Sequence, residues 1–418
     1  MIIPITRNLS RIIFYKHMHT LTNMSRSGNS CYVEFPDLEL IQSKHELISK
    51  LISDLEKQGF CLNDNFTVMN SELDKEGIRS LHSHAIHENV KKNEKYLSRV
   101  EKNVFEFFAN GDDISPKKMD IRIEEVVAGK TSGDLFNYAT CLWSVPVSKG
   151  FGRRTRFLVW DSHNEKLVGL FALGDPVFNL KCRDTHIGWN ARDREERLYN
   201  TMDAFVLGAV PPYNILLGGK LIAMVATSNE VRDIIKRKYV DKTTIIDKKN
   251  KDPTLAMITT SSALGKSSIY DRIKFENEML YKSVGYSSGF GHFHISDGLF
   301  HKLTEVQEIE NEGSTKKNRY GNGPNWKFRV IRKGLESIGL PSELIRHGIK
   351  REVYCVPLSK NYKEYLCGID SEIDTIDMPL DKLFDEWKNR WLTKRSETRP
   401  DYINVKKESI KEVVWKNV

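Results

Sequence analysis

Long apolar runs are missing from this chain of 418 residues: no stretch reaches the ~18 apolar residues that a membrane helix needs, so no membrane span is expected. Cysteine is scarce. The six residues, at 31, 61, 141, 182, 355 and 367, lie far apart with no Cys-x-x-Cys pair, which argues against a zinc ribbon or a disulfide framework and fits the reduced thiols of a cytoplasmic protein. The opening segment MIIPITRNLSRIIFYKHMHTL never builds a signal-peptide apolar region, because Arg7, Arg11 and Lys16 interrupt it. Internal repeats and low-complexity tracts are also absent, which excludes solenoid and linker-type architectures. What remains is globular: 39% hydrophobic residues, and 64 Lys+Arg against 56 Asp+Glu for a net charge of +8, a mild excess that permits nucleic-acid contact.

The periodicity changes along the chain and predicts an α+β fold. Residues 1–34 read as a flexible leader without sustained period. Residues 35–130 read as a helical region: Leu40, Ile41, Leu47, Ile48, Leu51, Ile52 and Leu55 recur at helical spacing up to Gly59, and two more helices are expected near 72–91 and 94–109. Residues 131–300 read as a mixed α/β core domain. Its expected parts are strands at 142–146 and 156–160, a hairpin through the polar turn 161–166 into 167–173, a charged insertion over 177–203 helical at 193–202, and a strand at 204–210. A long helix at 220–239, a strand at 255–260, a helix at 269–282 and a strand at 289–295 complete it. Residues 301–418 read as a smaller α+β region with helices at 328–338 and 380–392 and a strand at 351–356.

Several motifs carry candidate chemistry. An apolar strand that stops at Pro211-Pro212 and restarts as a helix at Gly218-Gly219-Lys220 presents N–H groups at a positive helix end, which suits a phosphate; tight packing of the two glycines is the plainer alternative. Leu264-Gly265-Lys266-Ser267 imitates the end of a P-loop, but Thr260 stands where the first glycine belongs, and a serine-rich capping turn accounts for it. His292 and His294, two apart on an expected strand with His301 nearby, invite a metal or base reading without any spaced carboxylate or cysteine; no metal site is assigned. His82, His84 and His87 read as surface helix residues. Asp175, Asp184 and Asp203 spaced through an α/β layer raise a two-metal nuclease reading, with turn capping or pairing of Asp184 to Arg183 or Arg192 as the alternative. Basic clusters give a further signal: Arg153, Arg154 and Arg156; Arg232 to Lys238; Lys248, Lys249 and Lys251; Lys316, Lys317 and Arg319; and Lys388 to Arg399 beside Trp387 and Trp391. Cations near aromatics neutralise phosphates and stack on bases, so Arg153, Arg154, Arg156, Lys316, Lys317 and Arg319 are the expected nucleic-acid contacts.

The order strand, hairpin, strand, glycine turn, helix, strand, loop, helix, strand resembles a GNAT-type N-acyltransferase, as does the run LYKSVGY at 280–286. That likeness implies acyl-CoA at Gly218, Gly219 and Lys220, although the usual Q/R-x-x-G-x-G/A is broken by Asn214 and Leu217. A wider set of segments resembles the Druantia A family of bacterial anti-phage defence proteins: LWSVPVSKGFGRRTRFLVWD, LFALGDPVFNL, RDTHIGWN, GAVPPYNILLGGKLIAM, GNGPNWKFRVIRKGLESIGL and HGIKREVYCVPLSKN. The resemblance spans roughly residues 130–395. It implies a part in resistance to bacteriophage beside other Druantia proteins, including a helicase-like component, and it brings no catalytic residue. Three functions are therefore expected in order: a defence component at or near DNA or RNA, a GNAT-like acyltransferase modifying nucleic acid or protein, and a metal-dependent nuclease.

Overall fold

A computed structural model describes residues 35–63, 66, 68, 73–147, 150, 152–244, 248–320 and 325–416; the leader expected over 1–34 lies outside them. The chain divides into two compact units, Met1–Leu73 with Gly289–Ile349, and Asp74–Ser288 with Lys350–Val418.

The first unit is helical. Leu47, Leu51 and Leu55 of helix Phe35–Lys57 are buried, as are Leu299 and Leu303 of helix Asp297–Glu310 and Val330, Ile331 and Leu335 of helix Asn325–Ser337. Gly334 lets the last two helices cross closely, since a Cβ there would stand 3.0 Å from that of Leu303. The strand expected at 289–295 is a correction: only Phe290 bridges, to Arg346, before Ser296 caps the next helix. The glycines at 289 and 291 are the reason, for Gly289 takes a positive φ and a side chain at either position would meet Gly348 or His347.

The second unit holds a seven-stranded mixed sheet, and the α+β expectation is met. Its strands are β1 (Ile121–Glu125), β2 (Arg154–Asp161), β3 (Lys166–Gly174), β4 (Thr201–Ala209), β5 (Met257–Ser261), β6 (Lys282–Tyr286) and β7 (Glu352–Pro357), in spatial order β1-β2-β3-β4-β5-β7-β6. All neighbours are antiparallel except β4 and β5. Helices α1 (Thr131–Ala139), α2 (Lys181–Ile187), α3 (Gly218–Val225), α4 (Asn229–Tyr239) and α5 (Leu380–Trp387) cover it. Buried residues of α3, α4 and α5 join Met202, Ala204 and Phe171 in one core, while α1 and helix Glu94–Val104 join Leu158, Leu170 and Val206 in another. A smaller cluster packs Ile187 at the end of α2 with Met257 and Cys355. Each such Leu or Phe contributes about 1.5–3 kcal/mol by leaving water.

Four element expectations in this unit need correcting. Residues 142–146 are no strand: a 3-10 turn ends at Leu142, and the Trp143 ring packs against Gly208. The single helix 220–239 is two, because Ser228 stops the apolar α3 and accepts from Val231 N–H to start the amphipathic α4. The helix at 269–282 is a 3-10 turn and a small hairpin, turned by Glu276 and Asn277 at positive φ, followed by β6. The insertion 177–203 holds two short helices, α2 and Ala191–Arg197, and β4 begins already at Thr201.

Candidate functional site

β4 and β5 pair only at their beginnings, Thr201 with Met257, Met202 with Ile258 and Asp203 with Thr259. One further tie, Thr260 Oγ1 donating to Ala204 O at 2.9 Å, follows before the strands part. The cause lies in β4. Ala172 pairs with Val206 but Leu173 with Ala204, so Phe205 is an extra, bulged residue that bends the strand and reverses which face the following side chains take. Past it Leu207, Gly208 and Ala209 are half-buried, and Ser261 on the opposite lip is exposed.

Asp203 lies where the strands diverge. Its Oδ1 accepts from Thr259 Oγ1 at 2.8 Å, and burial pushes its carboxyl up to about 6 against the opposing pull of that bond and of the Arg183 and Arg154 charges. Arg154 lies flat on the bulged Phe205 ring, 3.7 Å from its centroid.

Leu217, at φ +61°, turns the chain into α3. Gly218 is required by space, because a Cβ would stand 2.7 Å from Tyr213 O. The N–H groups of Gly218 and Lys220 donate to Tyr213 O and Leu217 O, both at 2.9 Å. Lys220 is buried; its Nζ donates to Ile269 O at 2.8 Å, and burial lowers its ammonium to about 8, with Arg272 and Arg390 acting in the same direction. A Cβ on Gly219 would meet the Ile269 side chain at 3.4 Å. The P-loop-like run is a turn in which Gly265 O accepts from Glu352 N–H and Ser267 Oγ from Ile269 and Tyr270 N–H.

The three aspartates each serve a different partner. Asp175 accepts from Arg153, Asp184 from Arg183 and Arg194, and Asp203 from Thr259. Among the described residues no three His, Cys, Asp or Glu side chains form a metal-holding group. His294 is fully buried with Nε2 2.6 Å from Leu344 O, and His292 stands edge-on to Phe328; burial lowers both to about 4. His301 is exposed on its helix. His82 corrects the surface reading: it is buried, 3.2 Å from Arg351 Nη2, and lowered to about 3 by burial first and the Arg351 charge second.

The basic residues separate by exposure. Arg153 is buried, donating to Asp175 and Tyr199 O while lying 3.6 Å over the Tyr199 ring. Arg154 and Arg156 are half-buried, Arg156 over Phe136. Lys316, Lys317 and Arg319 are exposed in the helical unit, with Arg319 over Trp326 and Arg329 over the exposed Tyr320. Trp387 is core, its Nε1 donating to Leu217 O.

Sequence reasoning missed one arrangement beside β3. The side chain of Arg183 is fully buried, and it donates to Val177 O at 2.9 Å, to Phe178 O at 3.0 Å and to Asp184 Oδ1 at 2.8 Å. Asp184 also accepts from Arg194 at 3.0 Å, and Arg194 lies under Phe178 at 4.7 Å. The pairing of Asp184 with Arg183 was one of the sequence alternatives; Arg192 pairs with Glu196 instead. The only signal in RDTHIGWN was the adjacent Arg183-Asp184 pair; the carbonyls that complete the arrangement come from Val177 and Phe178, which residue type does not mark.

Fold and site thus define an α+β protein whose mixed sheet opens between its one parallel pair, with a clasped basic segment beside it. The chain belongs to the Druantia protein DruA family, whose model matches residues 72–368. It is similar to the Druantia protein DruA of Escherichia coli (strain UMEA 4076-1), 41% identical over 358 residues that cover 85% of this chain and 89% of that protein. No solved structure matches.

Proposed function

We propose that the chain is a component of a multi-protein bacterial anti-phage defence system and acts in the cytoplasm at or near nucleic acid. The observation that carries the first part is the likeness to DruA over most of both chains. Its partners on this reading are other Druantia proteins, including a helicase-like component. The nucleic-acid part is supported by the exposed cations Lys316, Lys317 and Arg319, of which Arg319 lies over the Trp326 ring, with Arg154 and Arg156 as half-buried candidates on the sheet unit. Arg153 contributes there by holding Asp175 rather than by touching a phosphate. No helix of the described residues is long and apolar enough to cross a membrane.

Deleting the gene from its defence cluster and plating phage tests the biological part; unchanged plaque counts defeat it. Nucleic-acid affinity measured against salt tests the other, since phosphate contacts release counterions and affinity must fall as salt rises.

The divergence of β4 from β5 favours a second reading, a GNAT-like acyltransferase. The helix start fits acyl-CoA poorly, for Lys220 is held by carbonyls and Ile269 stands against Gly219, so no transfer step is derived. Calorimetry with a panel of acyl-CoAs decides it: absence of heat removes the reading. A metal-dependent nuclease using Asp175, Asp184 and Asp203 trails both, each carboxylate being engaged separately.

A further inference from the structure

Val177 and Phe178 are 63% and 49% exposed, adjacent apolar residues at the surface just after β3. Such residues usually sit on a mobile loop, yet here both their carbonyls are gripped by one buried guanidinium. Burying an arginine costs several kcal/mol unless every donor finds a partner. Arg183 meets that demand with Val177 O, Phe178 O and Asp184, and the result is a fixed apolar prong. Arg194 lies over the Phe178 ring, 4.7 Å from its centroid, and the residue still remains half exposed. Beside the prong is an open depression of about 520 Å³ lined by Asn179, Lys181, Asp184, Thr185, Trp189 and Arg194. Among the lining residues two cations, Lys181 and Arg194, face the single carboxylate of Asp184, which Arg194 and the buried Arg183 behind it already neutralise, so Lys181 is left in excess. The depression is therefore cationic, and Lys181 and Thr185 are exposed at its edge.

We propose that this surface binds a strand of nucleic acid, one phosphate entering the depression at Lys181 and an unpaired base stacking on Phe178. The inference rests on the reading that the chain acts at nucleic acid, and it names a contact outside the basic runs. Charge and ring together select the occupant: an apolar peptide would use the prong but not the excess cation, whereas a nucleotide uses both.

The test is fluorescence anisotropy of a short labelled oligothymidylate with the full chain. Phe178→Ala should weaken binding about 5- to 150-fold, the range for losing one stacked base, while Phe178→Trp keeps it. Lys181→Ala should lower the slope of log affinity against log salt by about 0.7, one phosphate contact on a single strand. Both side chains are exposed, so unchanged melting temperatures separate these effects from unfolding. Wild-type binding that neither variant alters overturns this site and leaves the broader reading standing. No binding by the wild-type chain removes both. Should Phe178→Ala spare the oligonucleotide but abolish association with another defence protein, the prong is a protein contact and the proposal is wrong.

Discussion

Replacing Arg183 by Met tests the clasp most directly. The side chain is fully buried, and its loss removes one of the two cations on Asp184 and the donors on two successive carbonyls. Removing one partner from a buried ion pair costs about 3–5 kcal/mol, because the other charge stays behind. Here the lower end applies, since Asp184 retains Arg194 at 3.0 Å and the exposed segment 177–178 lets water reach its carbonyls. Unfolding entropy of about 2.1 cal/mol/K per residue makes one kcal/mol worth just under about 2 °C in a unit of this size, so Arg183→Met should melt about 5 °C below wild type. Arg183→Lys is the decisive companion. It keeps the charge but offers no planar fork, so it should recover less than half of the loss. Chymotrypsin cleavage after Phe178 reports the local effect and should quicken in both variants while the rest of the unit stays folded. A melting temperature within a degree of wild type for Arg183→Met, or full stability in Arg183→Lys, would refute the reasoning.

The remaining predictions concern packing and protonation. Gly169→Ala should cost about 1–3 kcal/mol, the price of overpacking, because the new Cβ would stand 2.4 Å from Gly208 O; urea unfolding measures it, and a neutral result contradicts the tight β3–β4 contact. His82 is held neutral in the fold, at about 3 against 6.5 unfolded, so its contribution is complete above pH 6.5 and is lost as pH falls toward 3. Between pH 6.5 and 5 that amounts to as much as about 2 kcal/mol, and His82→Gln should flatten the acid limb by that amount; parallel acid limbs would count against it. Lys220 has the same sign: lowered to about 8, it binds its proton less well in the fold, so stability rises with pH from 8 toward 10.5. Lys220→Met should remove that rise, worth up to about 1.4 kcal/mol per pH unit, and an unchanged pH dependence would show that the ammonium is solvated.

How much the sequence revealed depended on whether local pattern and tertiary contact agreed. The hairpin of β2 and β3 was legible because a polar turn separates two β-rich runs that pair as written, Arg156 with Ala172 and Phe157 with Phe171. Residues 269–282 misled because Ile269, Ile273 and Leu280 repeat at helical spacing, yet Tyr270 and Tyr281 stack at 4.7 Å and pull the chain into a hairpin that periodicity does not encode. His82 misled for the opposite reason: a polar residue on a polar helix is buried by Arg351, which lies 269 residues away in sequence. At the candidate site, the glycine turn was visible but the divergence was not, because one bulged residue produces it. With strict alternation Met202, Ala204 and Val206 would share a face; the extra Phe205 keeps the first two against α3 and α4 and sends Val206 to the core of α1. β4 thereby places residues in both cores, as β2 and β3 also do, and the bulge at Phe205 bends it away from β5. The opening thus traces to a bulge in β4, beside a helix start whose Gly218 and Lys220 N–H groups are already bonded within the fold.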